Sequence, residues 1–194
     1  MEVFMAGGTS TPFGFRPLRH LAGGSPTRTA EYPIATGYAT AIGQGDPVAL
    51  ISDGTITQCA AATRLLGVFV GVQYVDSNGD VQFDNRWPAS TAATNIKASV
   101  IIDPLVTFEV ESAKSTAPAQ TDVGLLADHV AAVPSTVHGG SGAYISGTQG
   151  TGVAQWRVIG LVDKPYNTGG VYDTLEVVAV EHEFLPVFGG TPGV

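Results

Sequence analysis

The chain has 194 residues, enough for one domain with a substantial core, and 44% of them are hydrophobic against only 13% charged. Nine basic and seventeen acidic side chains leave a net charge of −8, which argues against the basic stripe of a nucleic-acid groove. Cys59 is the only cysteine, ruling out an intramolecular disulfide and a cysteine-based zinc site, and no run approaches the ~18 apolar residues of a membrane helix.

In chain order, Met1 to Gly8 lack the basic and apolar regions of a secretory signal, so the protein is expected to stay in the cytosol until assembled. Residues 1–30 carry Pro12, Pro17 and Pro26, two glycine pairs and no periodic pattern, and read as an extended, mildly basic arm. Phe13 and Phe15 on such an arm suggest anchoring in a pocket, on its own body or on a neighbour. Residues 31–185 read as one β domain, and 186–194 as a short tail. Within the domain, Pro47 opens a strand, Ser52-Asp53-Gly54 supplies a turn, and Ile56 to Ala60 return as a hairpin. Leu65 to Val72 form an apolar run, with Gly67 and Gly71 where another backbone can approach. Asp76-Ser77-Asn78-Gly79-Asp80 marks a second hairpin. Its oxygens alternate as in a calcium loop, but Gly79 is misplaced and no terminal Glu follows, so a turn is the better reading.

Lys97 to Ile102 read as a strand, Asp103-Pro104 as a turn and Leu105 to Ser112 as the return. There Val106, Phe108 and Val110 face the core, while Thr107, Glu109 and Glu111 face solvent. Thr121-Asp122 can cap a single helical turn, weakened by Gly124. Val153 to Val162 return to strand, with Trp156 and Val158 on one side and Gln155 and Arg157 on the other, and Tyr172 to His182 form the last strand. The expected fold is mainly β, a compact antiparallel barrel or sandwich built from hairpins, with at most one or two short helices.

These residues carry a resemblance. Gly45-Asp46-Pro47-Val48, an apolar strand, Asp53-Gly54, a polar strand, small residues and Gly67-Val68-Phe69 resemble the head decoration, or cement, proteins of tailed-phage capsids. Thr11 to Pro17, Asp80-Val81-Gln82-Phe83 with Trp87-Pro88, Asp122-Val123-Gly124-Leu125 and Gln155-Trp156-Arg157-Val158 extend the similarity over most of the chain. The resemblance implies a non-enzymatic virion protein on the outer surface of the head, made in the host bacterial cytoplasm. It would bridge neighbouring major capsid subunits and associate with itself, as a homotrimer in the family, with a dimer left open. Phe13, Phe15, Arg16 and Arg19 are the expected capsid contacts of the arm. A tail, fibre or head-closure component is the alternative.

The residues themselves signal no cofactor, metal cage or catalytic centre. His20, His129, His138 and His182 are scattered without metal-ligand spacing. Glu109 and Glu111 lie ~7 Å apart on one strand face, as an acid/base pair might, though a solvated face is the simpler reading. Gly139-Gly140-Ser141-Gly142-Ala143 approaches a nucleophile elbow, which would make Ser141 a hydrolase serine, but no strand-to-helix turn surrounds it.

Overall fold

A computed structural model describes residues 10–113, 117–147, 150–164, 167 and 170–185. The described chain is mainly β, and its one helical element is the 3-10 turn Gln120–Asp122. In chain order the strands are β1 (Arg16–His20), β2 (Thr29–Tyr32), β3 (Ile42–Gly43), β4 (Pro47–Leu50) and β5 (Ile56–Gln58). There follow β6 (Gly67–Val75), β7 (Val81–Asp84), β8 (Arg86–Trp87), β9 (Thr94–Ile101) and β10 (Val106–Ala113). The last five are β11 (Leu126–Ala127), β12 (His129–Val130), β13 (Tyr144–Ser146), β14 (Trp156–Leu161) and β15 (Thr174–Ala179).

Two sheets carry the architecture. A barrel-like mixed sheet runs β11-β14-β15-β10-β13-β12, with β1 also paired to β10, and an antiparallel sheet runs β2-β9-β6-β4-β5, with β7 also paired to β6. One core lies between them, where Val68 and Ile101 of the antiparallel sheet meet Phe108, Trp156 and Val177 of the mixed sheet. A second core lies on the other face of the antiparallel sheet, where Phe69, Val72 and Val100 pack with Ile34, Ile42 and Trp87. Burial on both faces explains why Gly67 to Val72 read as an unbroken apolar run.

The β4–β5 hairpin forms as expected, in the register Val48↔Gln58 and Leu50↔Ile56, with Gly54 at φ +81° in its turn. The Asn78-Gly79 hairpin also forms, and Asp76 serves the turn itself. Its Oδ1 accepts from the N–H groups of Asn78 and Asp80, and its Oδ2 from Gln82.

Asp103-Pro104 departs from the expected hairpin. β9 lies in the antiparallel sheet and β10 in the mixed sheet, so the turn carries the chain between layers instead of reversing it within one. Nor is pairing wholly antiparallel, since β10 and β13 run parallel at Ser112↔Ile145. The expected helical turn stops after three residues, because Gly124 takes φ +94° and Leu126 and His129 enter strands. Gln155, expected beside Arg157 on the outer side, precedes β14 and is fully buried.

Candidate functional site

The chain from Ser10 to His20 is docked on the mixed sheet. At its start, Ser10 Oγ and Thr11 N–H donate to the two oxygens of Glu111 at 2.6 and 2.9 Å. Gly14 adopts φ +75°, and a Cβ there would lie 2.5 Å from the Ser141 Cβ, so the turn toward the core demands glycine. Phe15 then enters the body. It is 1% exposed, stacks on Trp156 at 4.3 Å between ring centroids and meets Phe108 and His129 edge-on. Beyond it β1 pairs antiparallel with β10, Arg16 opposite Glu109 and His20 opposite Val106, with an irregularity at Leu18.

The four expected arm contacts therefore separate. Phe15 is a core residue of its own domain and presents nothing to a neighbour. Arg19 is exposed, but its guanidinium holds Glu176 through two hydrogen bonds of 2.6 and 3.1 Å. Phe13, half-buried, and Arg16, exposed, form a stacked pair, the guanidinium 4.2 Å from the ring centre. The described part of the expected arm is thus strand and anchor, because a large aromatic gains more from a closed core than from a surface. The expected tail, 186–194, lies outside the described residues, as do residues 1–9.

Beneath this segment lies a buried polar node. Asp46 is fully buried and accepts hydrogen bonds from Gly43 N–H at 2.7 Å, Gln58 Nε2 at 3.2 Å and Ser141 Oγ. Burial pushes its carboxyl above the ordinary Asp range against these donors. Ser141 Oγ also accepts from Ala143 N–H at 2.9 Å, while its backbone N–H donates to Gln44 O. Ser141 Oγ is bonded to a carboxylate, and His138 Nδ1 is occupied in accepting from Gly140 N–H in an exposed loop. The glycine-rich segment thereby latches onto the β3–β4 turn.

The Glu109 and Glu111 pair is likewise taken up. Glu109 pairs with Lys164 at 2.5 Å, whereas Glu111, 3% exposed, holds the docked segment. The strand face expected in solvent is instead largely buried, with Thr107 bonded to Arg19 O at 3.2 Å. A second polar cluster went unsignalled in the sequence. His129, 1% exposed, bonds Cys59 O through Nε2 at 2.8 Å and accepts from Trp156 Nε1 at 3.4 Å, so it is neutral, and burial lowers its pKa. The Gln155 amide ties Ala60 O and Thr63 O at 2.8 and 2.5 Å. Burial pushes the nearby Cys59 thiol up to about 12, leaving it inert.

No protein-family model, curated protein or solved structure matches the chain. Function must therefore be argued from the residues. Among the described residues no group of His, Cys, Asp or Glu is arranged to hold a metal ion, and no helix is long and apolar enough to cross a membrane. The polar side chains singled out above are bonded to one another and to the backbone, where they join distant segments.

Proposed function

We propose that the chain is a structural protein of a phage head, a decoration or cement protein that binds the outer surface of the shell and bridges neighbouring major capsid subunits. The observation that carries the reading is the role of the resembling stretch itself. Asp46 and its neighbours, which look like a decoration-protein motif, act as an internal clamp between the β4–β5 hairpin and the Ser141 loop. A motif whose polar groups are consumed in architecture suits a protein that works by shape and surface. The low charge and the exposed Phe83, Val133 and Val137 add apolar area for association. Many modest contacts spread over several subunits hold tightly through avidity.

The partners on this reading are the major capsid protein and further copies of the chain, a trimer in preference to a dimer. Of the four expected arm contacts, Phe13 and Arg16 are the two free, among the described residues, of the core and of ion pairing to the body, and they are the ones to touch the shell. The test is light scattering on the purified protein, then co-sedimentation with expanded shells of the same source. A trimer that pellets with shells at hundreds of copies per particle supports cement. Binding at about a dozen copies per particle would move the assignment to the tail or head closure, and a monomer that ignores shells would overturn it. Truncation belongs at residue 9, because removing residues 1–20 would also take Phe15 out of the core.

A further inference from the structure

Between the docked segment and the antiparallel sheet runs a cleft of about 850 Å3, within the ~300–1,000 Å3 range of ligand sites. Its floor is apolar, formed by the half-buried Val70 and the buried Ile101, and Phe13 closes one wall. The exposed Thr29 also lines it, and Arg16 and His138 supply the only ionisable side chains among the described lining residues. Among the described residues no Asp or Glu lines it, although the chain as a whole carries a net charge of −8. In an acidic protein, the described lining of this cleft is thus bare of acid and carries a permanent cation. That cation is held in place, stacked on Phe13.

We infer that this cleft binds an extended polypeptide segment of a partner protein carrying a carboxylate beside apolar side chains. Arg16 receives the carboxylate, and the apolar side chains lie against Val70 and Phe13. A polypeptide is favoured over a compact ligand by the two strands on the rim. β1 pairs only with β10, and β2 only with β9, among the described residues. Each leaves one strand edge available to hydrogen-bond an extended backbone. The inference stands independently of the virion assignment.

Amide NMR of the full chain, titrated with acetyl-Phe-Glu-Val-amide and acetyl-Phe-Lys-Val-amide, tests it. The Glu peptide should shift resonances at Phe13, Arg16, Thr29 and Val70 and bind about tenfold more tightly than the Lys peptide, with the difference shrinking in high salt. Arg16→Glu, a surface change, should invert that preference, and Thr29→Trp should weaken both peptides by obstructing the cleft. Three outcomes would overturn the inference. They are no saturation by about 10 mM, shifts centred elsewhere, and an Arg16→Glu protein that still prefers the Glu peptide.

Discussion

Phe13 and Phe15 are two residues apart and do opposite things. Phe15 is closed in by Trp156, Phe108 and His129, whereas Phe13 is only half-buried, at the cleft wall under Arg16. Urea denaturation should therefore show Phe15→Ala costing about 3–5 kcal/mol and Phe13→Ala, at a half-buried position, less, about 1–2 kcal/mol. Ser141→Ala removes one of the donors to a buried carboxylate and should cost about 1–3 kcal/mol, and it should abolish no hydrolysis of test esters. His182, 2% exposed, is tied to the Leu66 backbone and accepts from Phe184 N–H, and burial lowers its pKa to about 4. Its folded value lies below the ~6.5 of an unfolded chain, so the unfolded state binds more protons between the two. Stability should be full above that window and fall by on the order of 3 kcal/mol as pH drops through it. His182→Gln should flatten that slope, whatever it does to stability at pH 7. Asp46, shifted upward, acts with the opposite sign and weakens the fold as pH rises from the ordinary Asp value to its own.

At the scale of elements, β10 is the strand on which the mixed sheet converges. β15 runs along one side, and β1 and then β13 divide the other. β10 is buried on both faces, its polar face covered where Ser10 and Thr11 bond Glu111 and Lys164 bonds Glu109, which explains why alternating polar residues at 107, 109 and 111 did not mark a solvent face. β6 occupies the equivalent place in the antiparallel sheet, and Gly67 lets it approach β9. A Cβ at Gly67 would land on the Ile101 carbonyl oxygen, with backbone on both sides of the clash. Gly67→Ala should therefore cost about 3 kcal/mol or more. Gly54→Ala, at φ +81° but with open space around it, should cost only about 1–2 kcal/mol of backbone strain. Urea midpoints of the two variants check the contrast.

The whole molecule is two cores sharing one sheet. Because the antiparallel sheet is buried on both faces, neither core can open without exposing the other. Trp156 reports the core between the sheets and Trp87 the core beyond, and each is at most 1% exposed. Single-tryptophan variants, Trp87→Phe and Trp156→Phe, should unfold in one transition whichever tryptophan remains, read by fluorescence and circular dichroism together. Separate midpoints for fluorescence and circular dichroism within either variant would divide the molecule into independent units.

Local chemistry was legible in the chain. Asp53-Gly54 and Asn78-Gly79 need backbone that only a few residues accept, so both turns and their hairpins could be read from adjacent residues. The same holds for the β-rich class, written in glycine content and period-two patterning. Tertiary structure alone decided which strands share a sheet, since a turn such as Asp103-Pro104 looks the same whether it reverses a strand or crosses between layers. It also decided that Phe15 is core and that Ser141 meets Asp46, 95 residues away. Partners that far apart are fixed by the packing of whole sheets, and no spacing along the chain encodes them.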